Sequence, residues 1–117
     1  MPSKSAKTKR RPRNAVVKKA TQAWVVIHCE FMGTSDAPRM DEMVFHVAST
    51  RRAAERYIKS RFVSPFSWWQ VQNYRVDIDE VDEVNTLFYS HKGRQMKSPP
   101  HKFAMHHFLR HCREMGY

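Results

Sequence analysis

Apolar residues alternate along 23–32, with Val25, Ile27, Cys29 and Phe31 on one parity and Trp24, Val26, His28 and Glu30 on the other. The segment reads as a strand with one core face. Residues 43–48 repeat the pattern, Met43, Phe45 and Val47 facing one way and His46 the other. Between them, 33–42 holds Gly33, Asp36, Pro38 and Asp41 and reads as a polar loop, so the two strands are expected to form an antiparallel pair.

The period then lengthens. Ala53, Ala54, Tyr57, Ile58 and Phe62 recur at helical spacing, while Arg51, Arg52, Glu55, Arg56 and Lys59 fall on the other side, which predicts an amphipathic helix with a mostly basic outer face. Ser49 or Thr50 supplies an N-cap oxygen, Glu55 stands four residues from both Arg51 and Lys59, and Pro65 is expected to stop the helix. After a turn over 64–67, residues 68–78 are rich in aromatic and β-branched side chains and predict a third strand. Its alternation breaks: Trp69 and Val71 share one parity, and Tyr74, Val76 and Ile78 have the other. A bulge near Gln72 and Asn73 would restore both sets to one face. In an extended chain the Trp68-Trp69 pair directs one indole outward, to stack on a base or to pack against a loop or the terminal helix.

Residues 77–83 carry five carboxylates in seven positions. The run lacks the glycine and terminal glutamate of a calcium loop and reads as a solvated turn, and as a docking surface for the chain's own basic tail. Residues 84–93 carry both helix-end and strand signals and are read as a short fourth strand. Ser98-Pro99-Pro100 then opens a helix with Met105, Phe108, Leu109, Cys112 and Met115 as its apolar stripe. The expected architecture is a single α+β domain over 22–117, in the order β-β-α-β-(β)-α: a small antiparallel sheet with both helices packed on one face, preceded by a disordered basic arm over 1–21.

Charge sharpens this picture. Lys4, Lys7, Lys9, Arg10, Arg11, Arg13, Lys18 and Lys19 stand in the first 19 residues without an acid, and so carry +8 of the chain's formal +10. The remainder is nearly balanced, with 13 basic and 11 acidic residues. Such a segment cannot bury enough apolar surface to offset the entropy of ordering it, and it attracts polyanions. No run approaches 18 apolar residues, so a membrane partner is not expected. Two cysteines, Cys29 and Cys112, are too few for a disulfide scaffold and suit a reducing, intracellular compartment, whether cytoplasm, nucleoid or nucleus.

Catalytic signatures are missing. Three glycines build neither a Walker loop nor a dinucleotide fingerprint, and no GxSxG or CxxC occurs. His107 and His111 stand four apart on one helix, a chelating spacing, but Phe108 occupies the place where a zincin has glutamate, and a third ligand would have to come from His28 or His46. The polar face of that helix reads instead as one that becomes more cationic in acid. No metal or other cofactor is expected. The function that follows is a non-enzymatic, nucleic-acid-associated role, with RNA favoured over sequence-specific DNA. The arm supplies phosphate contacts, Arg52, Arg56 and Lys59 fix orientation, and Trp68 is the stacking residue. The alternative is an interaction module that binds a protein, such as an acidic surface, using Trp24, Val26 and Trp68 on an open sheet face.

Overall fold

A computed structural model describes residues 21–77 and 81–117. The expected arm lies outside the described residues, as do Ile78, Asp79 and Glu80 of the acidic run. The elements are β1 (Thr21–Gly33), β2 (Pro38–Ala48), α1 (Arg51–Lys59), β3 (Ser67–Val76), β4 (Val81–Ser90), β5 (Gln95–Met96) and α2 (His101–Met115). All strand pairs are antiparallel, and the sheet order is β2-β1-β3-β4-β5. The expected α+β class and antiparallel sheet are present. The polar loop is shorter than expected, because β2 begins at Pro38 and only residues 34–37 turn, helped by Gly33 at φ 96°. A Cβ there would lie 2.6 Å from the Ala37 carbonyl oxygen.

Both helices were expected on one face; they cover opposite faces. Val26, Trp69, Val71 and Tyr89 pack with Ala54 and Ile58 of α1. Their chain neighbours Ile27, Cys29 and Trp68 pack with Ala104, Phe108 and Cys112 of α2. The physical reason lies in the position of β1. It is flanked on both sides by paired strands, and both of its parities are largely apolar, so both faces must be covered. β2 and β3 run parallel on either side of it, and α1 is the crossover between them on one face, which leaves the other face to α2.

The same two-sided burial explains the broken alternation. β3 needs no bulge against β1, with which it pairs without interruption from Thr21–Val76 to Glu30–Ser67. Trp69 and Val71 serve the α1 face, and Trp68 the α2 face. The register shift near Asn73 lies in the pairing with β4, where Val84 is the extra residue between partners Glu83 and Asn85. Neither indole points outward: Trp68 and Trp69 are both fully buried.

α1 begins as expected, with the Thr50 hydroxyl accepting the Ala53 N–H at 3.1 Å. It ends earlier than Pro65 required. The Ser60 hydroxyl donates to the Tyr57 carbonyl at 2.7 Å, and the chain leaves the helix there. Phe62, assigned to the apolar stripe, is consequently exposed. Of residues 84–93, 84–90 belong to strand β4, which begins back at Val81, while 91–93 turn toward the two-residue β5. α2 starts after Pro99-Pro100 and closes on Gly116 at φ 78°. Ala104, Phe108 and Cys112 form its buried row, whereas Met115 is exposed.

Candidate nucleic-acid interface

α1 lies over the sheet with its acid turned inward and its bases outward. Glu55 accepts the Tyr89 hydroxyl at 2.6 Å and the Arg51 Nε–H at 3.2 Å, while Arg51 also donates to the Gln95 side chain at 2.9 Å. These bonds tie α1 to β4 and β5. The Tyr89 hydrogen bond, helped by Arg51, holds the Glu55 carboxyl below its ordinary value, and burial first and Glu55 second push the Tyr89 phenol up to about 12. With Ala54 and Ile58 facing the core, Arg52, Arg56 and Lys59 are left on the exposed side.

The turn between β4 and β5 adds to this side. Gly93 adopts φ 85°, the left-handed region that L side chains rarely enter, and a Cβ there would stand 3.1 Å from the Lys59 side chain. This close approach sets Lys92 and Arg94, one on each side of Gly93, beside the last turn of α1. The turn is held by Ser90, whose hydroxyl accepts the N–H groups of Lys92 and Arg94 at 3.3 and 3.2 Å. Arg52, Arg56, Lys59, Lys92 and Arg94 are exposed, and none forms an ion pair within 4.0 Å with another described side chain. Two sets of exposed cations, three on α1 and two on the β4–β5 turn, thus adjoin where Gly93 abuts Lys59; together they are called the ridge below.

On the α2 side of the same turn is a cavity of about 290 Å³, lined by Ser90, His91, Lys92, Arg94, Met96, Pro100 and Phe103. Phe103 is 50% exposed and lies nearly parallel to His91, with ring centroids 5.8 Å apart. Burial lowers the His91 pKa, and Lys92 and His107 lower it further, so the imidazole favours its neutral form. Its Nδ1 is buried without a hydrogen-bond partner among the described residues.

The sequence-derived site residues divide three ways. Arg52, Arg56 and Lys59 come together on one surface. Lys4, Lys7, Lys9, Arg10, Arg11, Arg13, Lys18 and Lys19 lie outside the described residues. Trp68, expected as the stacking residue, is 0% exposed between Phe31 and His101 under α2 and presents no face to a ligand. The interaction anchor of Trp24, Val26 and Trp68 is likewise not an open face, since Val26 is buried under α1 and Trp68 under α2. What is open is edge strand β2, where Met43, Val44, Phe45 and Val47 are exposed.

Sequence reasoning passed over Lys92, Arg94 and Phe103. The legible signal was Phe103 itself, an aromatic residue off the α2 stripe, one position from the buried row. The histidines are distributed over both faces of the sheet. His28 and His46 sit on the α1 face, with His28 against Trp69 and His46 stacked on Tyr57, so the sheet separates them from α2. His107 and His111 contact Phe103 and Phe66 respectively, and no group of three metal-ligating side chains occurs among the described residues. No described helix is long and apolar enough to cross a membrane. The chain matches no protein-family model, no curated protein and no solved structure.

Proposed function

We propose that this protein is a non-enzymatic nucleic-acid-associated protein whose partner is single-stranded RNA, with the basic arm supplying much of the affinity and the folded ridge fixing orientation. The observation that supports this reading best is the exposed cation set: Arg52, Arg56 and Lys59 on the outer side of α1, with Lys92 and Arg94 on the turn that abuts Lys59, form no ion pair with another described side chain, while the acid of α1 is engaged inward. Phosphate contacts of this kind position a strand without reading its sequence. The arm joins the fold at Thr21, nine strand residues from Glu30 at the opposite end of the sheet, or roughly 30 Å at the usual strand rise. The β4–β5 turn lies at that opposite end, since Ser90 pairs with Trp68, so the arm and the Lys92 and Arg94 cations would engage separate stretches of one strand. α1 begins three residues after Ala48, opposite Trp24, and so lies nearer the arm.

The test is affinity for labelled single-stranded RNA over a salt series. If about four to six arm charges meet phosphates, log affinity falls against log salt with a slope of roughly −3 to −4. Deleting residues 1–19 flattens the slope, and Arg52→Ala, Arg56→Ala and Lys59→Ala each weaken binding less, with little sequence dependence. Failure of the full chain to bind at moderate salt refutes the proposal.

A second reading rests on a different observation. β2, at the edge of the described sheet, exposes Met43, Val44 and Val47 at 63, 58 and 57%, and no other described strand pairs with its outer side, which suits addition of a strand from a protein partner. Retention of a protein partner by a chain that binds no nucleic acid, with loss of that partner on Val44→Lys, would put this reading first.

A further inference from the structure

We propose that the cavity between the β4–β5 turn and the start of α2 is a nucleotide subsite, in which one unstacked base lies on the exposed part of the Phe103 ring and Lys92 and Arg94 hold the adjoining phosphate. This rests on the RNA reading above and adds to it a base-contacting residue.

Three observations converge on the site. Its walls divide by chemistry, with Phe103, Met96 and Pro100 apolar and Lys92 and Arg94 cationic, the division that a base joined to a phosphate requires. At about 290 Å³ it is at the small end of ligand cavities and suits one ring system, not an extended ligand. Its parts are also held in place. Ser90 fixes the turn that carries both cations, Gly93 seats that turn on α1, and Phe103 projects from the first turn of a 15-residue helix. That helix begins without a side-chain cap or an acid in its first turn, so its N-terminal dipole adds to the attraction for a phosphate.

Stacking on an exposed aromatic ring tolerates any base, because every base has a π face. His91, nearly parallel to Phe103, extends the wall, and its buried Nδ1, without a hydrogen-bond partner among the described residues, leaves a hydrogen-bonding need beside the site. The ridge is continuous with the cavity through Lys92 and Arg94, which belong to both. Gly93, between those two cations, abuts Lys59, so the cavity adjoins the C-terminal end of α1.

The experiment compares the full chain on two oligonucleotides of equal phosphate count: an oligouridylate of roughly 12 nucleotides, within the usual range of site sizes, and its abasic counterpart. The full chain should prefer the uridylate by about 5- to 150-fold, the stacking range of about 1 to 3 kcal/mol expressed as affinity. Phe103→Ala should remove this preference and leave abasic binding unchanged, whereas Phe103→Tyr should keep it. Lys92→Ala and Arg94→Ala should each flatten the salt slope by about 0.7 on both ligands. Because Phe103 is half exposed, unchanged melting of its variants shows that the fold is kept. A preference that survives Phe103→Ala overturns the subsite. Equal binding of both ligands with a steep salt slope also overturns it, while leaving the phosphate-binding function in place. Binding of neither ligand overturns both.

Discussion

Trp68 separates a structural role from a binding role, and its replacement has a calculable cost. The side chain is 0% exposed and packs with Phe31, Cys29 and the α2 residues Ala104, Phe108 and Cys112. A buried indole removes about 150–250 Å² from water, worth up to about 4–6 kcal/mol at 25 cal/mol per Å². That area is an upper bound, because the unfolded chain is not fully extended. Truncations of this type cost about 3–5 kcal/mol. A domain of this size has only about 5–15 kcal/mol in total, so Trp68→Ala should lower the melting temperature by at least about 12 °C, at roughly 4 °C or more per kcal/mol. Trp68→Phe should cost less than its lost area implies. The indole Nε1 has no hydrogen-bond partner among the described residues, and phenylalanine relieves a polar group buried without one.

Urea unfolding measures these costs, and a double-mutant cycle tests the two-faced sheet directly. Trp68 and Phe108 share a core and should couple by about 0.5 kcal/mol or more, whereas Trp69, under α1, should be additive with Phe108 to within about 0.5 kcal/mol. A Trp68→Ala cost below about 1 kcal/mol, or coupling of Phe108 to Trp69 and not to Trp68, would refute the assignment of the two helices to opposite faces.

Two further outcomes follow from buried titratable groups. His28 lies between Phe45 and Trp69, and burial lowers its pKa against an opposing effect of Glu30; the unfolded chain takes up the proton near 6.5 and the folded one lower, so the contribution of His28 is complete above pH 6.5 and declines as pH falls through the folded value. His28→Phe should flatten the fall in melting temperature as pH drops below about 6.5; an unaltered slope would assign it to other groups, His91 first among them. Burial and then Glu42 push the Cys29 thiol up to about 12, so at pH 8 it should react with a thiol reagent only as the chain opens, and mass spectrometry showing rapid native labelling of Cys29 would contradict its place in the core.

Local features of this fold were written in local residues. Thr50 followed by Ala53, Ala54, Tyr57 and Ile58 specified the start and inner face of α1, because capping and helical spacing act within a few residues. The alternation over Trp24 to Phe31 specified a strand and sorted its side chains correctly into two sets. Pro99-Pro100 marked the start of α2. The outward cations Arg52, Arg56 and Lys59 were legible for the same reason, since a helix period assigns sides as well as spacing.

How many faces the sheet buries was decided only by the order β2-β1-β3-β4-β5, which puts β1 and β3 in the interior and leaves β2 at the edge. Strand order depends on contacts distant in sequence, and a strand with apolar residues on both parities reads alike whether one set is covered or both. Trp68 therefore looked like a ligand-facing residue and became core, while Phe103, Lys92 and Arg94 met at one cavity because a positive-φ glycine seated a turn against α1. No spacing rule links 59 to 93 or 94 to 103. The sequence determined which residues could be charged, apolar or helical, and only the crossing of α1 and α2 over opposite faces determined which of them share a surface.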